Sequence, residues 1–293
     1  MIASELLRIR YTLTGRILLA ILLAEAVFVG LLLAFLPDLI DGLIALNDVI
    51  PNATSADQFT DEQLAALTLA SPQFQVLIAD ILGNTGLGAS LPAIATTLFG
   101  ALTITGEFRR GSITSAVLDQ PIRSRLILAK ATALVATVTV AGIVLGGVRA
   151  GMLAIGLAVQ GDPLLIDVPE LFAMWVLGIV GLMLYTLLGL GIGLLIRNQV
   201  ATVSVIFAGI VIESIIRPLA LLIFGGANPT LYLPFGLVPD IVRNSPLALL
   251  GADAPLTASL DTPPAIITLT LWAGLLLAAG ALRFTRADVP AQN

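Results

Sequence analysis

FAMWVLGIVGLMLYTLLGLGIGLLIRN, Phe172 to Asn198, carries no charged side chain from Phe172 to Ile196 and then meets Arg197. About twenty apolar residues suffice for a helix to cross the hydrocarbon core, whereas a barrel strand needs about ten and alternates apolar with polar. This stretch is long, apolar on every face and without alternation, so it predicts a transmembrane helix. The rest of the chain agrees: 58% of its residues are hydrophobic and 11% charged, with a mean hydropathy of +1.04, where a soluble domain has about a quarter of its residues charged. Histidine and cysteine are both absent. That removes thiolate and imidazole metal sites, disulfides, and Ser-His-Asp and Cys-His catalysis.

Working outward, five further apolar runs have spanning length, giving an all-α, polytopic fold with a single transmembrane domain over 1–293. The expected spans are 17–36, 88–105, 126–160, 172–196, 199–224 and 265–282. Segment 1–16 precedes them, and outer loops lie at 37–87 and 225–264. Charge fixes the orientation. Arg8, Arg10, Arg16, Arg109, Arg110, Arg123, Arg125, Lys130, Arg197, Arg283 and Arg286 all fall on one side of this arrangement, and Arg243 alone lies in an opposite loop. By the positive-inside rule the first side is cytoplasmic and holds both termini. The opposite loops are acidic, which accounts for a net charge of -5 without an acidic function.

A secretory signal is a competing reading of the N-terminus, but the apolar run after Arg16 is longer than an h-region of about 7 to 15 residues. The preceding SELLRIRYTLTGR, with Leu6, Leu7, Ile9 and Leu13 set among arginines, suits a helix lying in the membrane interface. In the first outer loop, Asp61 to Leu69 reads as a short surface helix. The second contains YLPFGLVPDIVRNSPL, too proline-rich for one continuous helix. Either loop could gate a path or cap the bundle, and capping is the expectation.

Four charges fall inside spans, where each is costly. Arg149 lies far along the third span and is expected to snorkel to the outer interface. Glu213 and Arg217 are spaced i,i+4 with glutamate first, the favourable order for an ion pair on one helix face. Glu25 has no partner in its own span, which makes it a candidate for a polar contact along a translocation path, or for protonation. Gly178, Gly181, Gly189, Gly191 and Gly193 are expected to let helices approach closely.

The segment 106–125 is the one cytoplasmic connection long enough to dock a soluble partner. Gly111 can end the second span, and Ser112 can cap a short helix that places Ile113, Val117 and Leu118 on one face before Pro121 stops it. Arg109, Arg110, Arg123 and Arg125 form its basic rim, suited to acidic residues or anionic lipid.

These residues carry a resemblance. GALTITGEFRRGSITSAVLDQPIRSRLILAKATA, residues 100–133, resembles the signature region of ABC-2 type ABC transporter permeases through Glu107, Arg109, Gly111, Ser112, Leu118, Pro121, Arg123, Arg125, Ala129 and Lys130. ELLRIRYTLTGRILLA, residues 5–20, is similar to that family's N-terminal interfacial helix, and LGLGIGLLIRNQVATVSVIFAGIVIES, residues 188–214, to its fourth and fifth helices. YLPFG, residues 232–236, is similar as well. The resemblance implies a coupling helix at Ser112 to Asp119 seated in a cleft of a cytoplasmic ABC ATPase subunit, and a second permease copy or homologue beside this one. ATP and magnesium would sit on the ATPase, with no cofactor on this chain, which is not an enzyme. The residues agree that it is not the ATPase: a Walker A loop needs G-x-x-x-x-G-K-[ST], and the one lysine, Lys130, stands between two alanines.

The expected function is therefore the permease subunit of an ATP-driven exporter in a bacterial plasma membrane. Its cargo would be hydrophobic or amphipathic, such as a drug, peptide antibiotic or lipid; its partners are ATPase, permease and membrane lipid, not nucleic acid. Two alternatives stay open: an ion-gradient-driven secondary transporter using Glu25, Glu213 and Arg217, and a non-transporting sensor or immunity subunit that binds an ATPase.

Overall fold

The computed structural model describes residues 5, 7, 9, 12–49, 60–83, 89–113, 122–224, 228–242 and 260–286. Six helices are long and apolar enough to cross a membrane, and no strand occurs among the described residues. The protein is a multi-pass membrane protein. Its helices are α1 (Leu13–Ala34), α2 (Leu36–Val49), α3 (Asp61–Ala66), α4 (Pro72–Ala79), α5 (Leu91–Arg110), α6 (Arg123–Gln160), α7 (Val168–Ile196), α8 (Gln199–Phe224), α9 (Val238–Val242) and α10 (Thr262–Arg286), with two 3-10 turns at Pro229–Tyr232 and Phe235–Leu237. The spans are α1, α5, α6, α7, α8 and α10.

Helix α7 is the centre, packed between α5 and α10. Glycines bring it there. A Cβ on Gly189 would run into the Thr97 carbonyl, and one on Gly100 into that of Thr186; one on Gly193 would lie 2.6 Å from Ile104. On the other side, a Cβ on Gly191 would sit 2.6 Å from the Leu277 amide nitrogen, and one on Gly280 2.7 Å from Leu194. Backbone-to-backbone approach of this kind is how helices gain dispersion contact where lipid removes the hydrophobic drive. Helices α1, α8 and α10 turn large apolar side chains outward, among them Phe28, Val200, Leu222 and Leu271. Lipid is the solvent of that surface.

The element boundaries correct the sequence reading in four places. Helix α1 begins at Leu13, so Leu13 to Arg16 are continuous with the helix that carries the first span. After a turn at Phe35 the chain is helical again to Val49, where a loop is expected. Helix α3 is opened by a capping box, in which Gln63 N donates to Thr60 Oγ1 and Thr60 N to Gln63 Oε1, but it stops at Ala66. The Thr68 hydroxyl then bonds the Ala65 carbonyl at 2.8 Å, a side-chain bond that competes with further helix.

Helix α6 begins at Arg123, ahead of the expected boundary at 126, and ends at Gln160 as expected. Its 38 residues span about 57 Å at about 1.5 Å each, well beyond a hydrocarbon core of about 30 Å. The helix therefore extends beyond the bilayer or crosses it at a tilt, and depth cannot be counted from a boundary at residue 126.

The described part of the first outer segment packs into the bundle. Around α4, the side chains of Leu69, Phe74, Ile78, Ala79, Ile81 and Leu82 are buried, and Ile81 and Leu82 fill the space over Gly178 and Gly181. Gln75 pins the segment by donating to the Leu69 and Pro163 carbonyls at 2.7 and 2.9 Å and accepting from Leu165 N at 2.8 Å. The Trp175 indole donates to Ala79 O at 3.0 Å. This segment folds into the bundle because its apolar residues have a groove of glycines to enter.

Candidate functional site

One end of the bundle collects the ends of α5, α6, α7 and α10 together with the N-terminal residues. Lys130 Nζ joins three of these parts. It lies 3.1 and 3.0 Å from the two carboxylate oxygens of Glu5 and 2.5 Å from Glu107 Oε1. Lys130 is 1% exposed and Glu107 2%, so the charges are compensated within the protein and not by water. Removing one member of such a buried set leaves an uncompensated charge, at a cost of about 3–5 kcal/mol. A cleft of about 40 Å³ opens beside it, walled by Glu5, Ile9, Thr12, Leu102, Thr103, Gly106 and Glu107 and reaching Arg109, Arg110 and Gln199.

The expected coupling residues divide here. Arg109, Arg110 and Arg125 are exposed and supply the rim read from the sequence. Gly111 ends α5 with φ 67°, the left-handed conformation that only glycine adopts without strain. The backbone is helical at Ser112 and Ile113, so the new turn begins at Ser112 itself, and Ile113 is buried. Val117, Leu118 and Pro121 lie outside the described residues, as does most of the expected coupling helix, Ser112 to Asp119.

Arg123 and Glu107 are not rim residues. Glu107 is buried on Lys130. Arg123 reaches across to α10, donating to the Phe284 and Thr285 carbonyls at 3.1 and 3.3 Å and lying 6.0 Å from the Phe284 ring centroid. Arg197, at the α7–α8 turn with φ 62°, donates to the Arg283 carbonyl at 2.7 Å and stacks over Phe108. Arg283 returns a bond to Leu195 O. These arginines satisfy carbonyls at helix C-termini, where positive charge is favoured. Burial first, then Arg283 and Arg123, lowers the pKa of Arg197 from the ordinary arginine value.

Inside the bundle, Arg149 corrects its expected position. It does not snorkel: it is 1% exposed and its Nη2 donates to Glu25 Oε1 at 2.8 Å. Glu25 on α1 thus has a partner after all, on α6, and Gly83 with φ 61° passes close enough that a Cβ would lie 3.1 Å from that carboxylate. Counting along α6 misplaced Arg149, because a helix of 38 residues is longer than the hydrocarbon core is thick and distance along it is not depth.

Glu213 and Arg217 also depart from the expected ion pair. They share a face of α8 but grip the same loop instead of each other. Glu213 accepts from the Phe235 amide at 3.0 Å and from that of Gly236, while Arg217 donates to the Gly236 carbonyl, to Leu231 O at 3.1 Å and to Asp240 Oδ2 at 3.2 Å. Tyr185 from α7 donates to Pro234 O at 2.8 Å, and Trp272 from α10 to Tyr232 O at 2.9 Å. Five side chains from three spans and α9 therefore organise a proline-broken segment whose backbone groups lack helical partners. Burial raises the Asp240 pKa to about 6, against the lowering effect of Arg217.

Sequence reasoning missed Lys130, Glu5, Arg149 and Asp240 as parts of these clusters. For Lys130 the available signal was its place as the one lysine of the chain, after the apolar run Leu126 to Ala129. No protein-family model matches this chain, and no curated protein does either.

Proposed function

We propose that this chain is the membrane-spanning permease subunit of an ATP-driven exporter of the ABC-2 type, working with cytoplasmic ABC ATPase subunits and a second permease. The observation that carries this reading is the construction of the connection between α5 and α6. Both of its stems are locked to each other through Glu107 and Lys130, and the basic side chains Arg109, Arg110 and Arg125 are left exposed beside them. A rigid mount with an exposed basic rim is what a docking surface for a force-delivering subunit requires.

In this mechanism ATP-driven closure of the ATPases displaces the connection, the stems carry the movement into α5 and α6, and the path between two permeases opens outward. ATP and magnesium reside on the partner. The cargo is hydrophobic or amphipathic, the membrane is a bacterial plasma membrane, and both termini are cytoplasmic.

Purification of the tagged chain in mild detergent, with identification of the subunits that accompany it, tests the reading. A stoichiometric Walker A protein is expected. Its absence, with activity abolished by an uncoupler alone, would replace this function with an ion-gradient-driven transporter.

A further inference from the structure

Lys130 sits two turns inside α6, Glu107 one turn inside the end of α5, and Glu5 on the N-terminal segment. These three elements are bound at one ammonium group. We infer that Glu5, Lys130 and Glu107 form a charge-locked joint, in which Lys130 is a positioning residue that makes the N-terminal segment move with the two stems of the 111–122 connection. As a step in coupling, this rests on the ATPase-driven function proposed above; as a joint within the chain, it stands on geometry alone.

The case is one of stoichiometry and burial. A single ammonium serves two carboxylates, so the Glu107 contact ties stem to stem while the Glu5 contact adds the N-terminal segment. Glu5 and Ile9 are both buried, while Leu7 between them is exposed, so the segment presents one face to the bundle. Ile9 also meets the start of α1: its carbonyl accepts from the Thr12 hydroxyl at 2.9 Å. A displacement of the stems is thereby passed to α1 from its beginning. Without Glu5, the stems remain tied through Glu107 but the N-terminal segment is released. Charge centres the joint beside the packing of Ile9, because Lys130 offers three donors and three of its contacts go to carboxylate oxygens.

Absence of cysteine makes the test direct. Spin labels at Leu7→Cys and Ser124→Cys, each paired with Leu282→Cys as reference, report the N-terminal segment and a stem separately. In lipid nanodiscs the parent chain is expected to give one narrow distance for each pair. Glu5→Gln should lose the narrow Leu7–Leu282 distance and keep the Ser124–Leu282 one. Glu5→Asp should restore the first. If Glu5→Gln and the neutral triple variant Glu5→Gln/Glu107→Gln/Lys130→Met both keep a narrow Leu7–Leu282 distance, the joint is overturned.

The complex with its co-purified ATPase supplies the coupling arm. ATP with vanadate should shift both distances in the parent and only the Ser124 distance in Glu5→Gln. A variant in which both still shift overturns the joint's role in coupling. A parent in which neither shifts counts against the ATPase-driven function, and the nanodisc result then decides the joint by itself.

Discussion

At the scale of single residues, this protein keeps charge inside the membrane only where a second charge or a set of backbone groups receives it. Arg149 and Glu25 are the sharpest case, 2.8 Å apart on α6 and α1. Arg149→Met leaves a buried carboxylate and Glu25→Gln a buried guanidinium, each expected to cost about 3–5 kcal/mol, whereas replacing both members of a buried pair is often close to neutral. The melting temperature of purified Glu25→Gln/Arg149→Met in detergent should therefore exceed that of either single variant. A double variant less stable than both would mean that the pair itself stabilises beyond mutual compensation. Asp240 gives a pH signature with a definite sign. Its folded pKa is raised from 3.8 to about 6, so the folded state binds the proton more tightly than the unfolded chain. The stability it contributes is full below about pH 4 and is lost as pH rises through 6. Melting followed across that window should show the parent losing stability relative to Asp240→Asn as the pH is raised. A constant difference between the two would show that the Asp240 carboxyl is not the titrating group.

At the scale of elements, glycine decides which helices touch, and its effect depends on what lies above each position. Gly189 and Gly193 face backbone of α5 with no room for a methyl group, while Gly147 and Gly151 on α6 have nothing within 4 Å. Gly189→Ala should cost stability by overpacking, in the range of about 1–3 kcal/mol or more. Gly147→Ala and Gly151→Ala should leave it unchanged or raise it by about 0.5–1 kcal/mol through helix propensity. Thermal melting of the three purified variants checks the order. Equal behaviour would deny α5–α7 its backbone contact. The existence of these elements was legible in the sequence because each span is a long apolar run, and the α5 stop was legible because Gly111 suits a left-handed cap. The start of α1 was not, since hydropathy marks where lipid begins and says nothing of a helix that continues past it. Arg149 was misread because distance along α6 was taken as depth, in a helix whose 38 residues exceed the thickness of the core. The Glu107–Lys130–Glu5 contact was illegible for a different reason: its members are far apart in the chain, and only the packing of α5 and of α6 against α1 and α7 makes them neighbours.

For the whole molecule, the even number of spans and the contacts at one end carry a consequence for topology. Lys130 meets Glu5, and Arg123 meets the end of α10, so Glu5 and the last described turn of α10 lie on the side of the α5–α6 connection. On the opposite side Gln160 donates to Asp38 at 2.8 Å, joining the far end of α6 to the start of α2. The proposed function places the first side in the cytoplasm, as the positive-inside rule leads one to expect from the arginines, and the reading as an ATPase partner depends on that placement, because ATP is available only there. Single cysteines at Ser124 and at Asp41, both exposed positions in a chain with none of its own, separate the two orientations. In intact cells a membrane-impermeant maleimide should label Asp41→Cys and spare Ser124→Cys until the membrane is opened. The reverse pattern would place the basic rim outside, beyond reach of ATP, and would overturn the exporter function while leaving the helical packing as described.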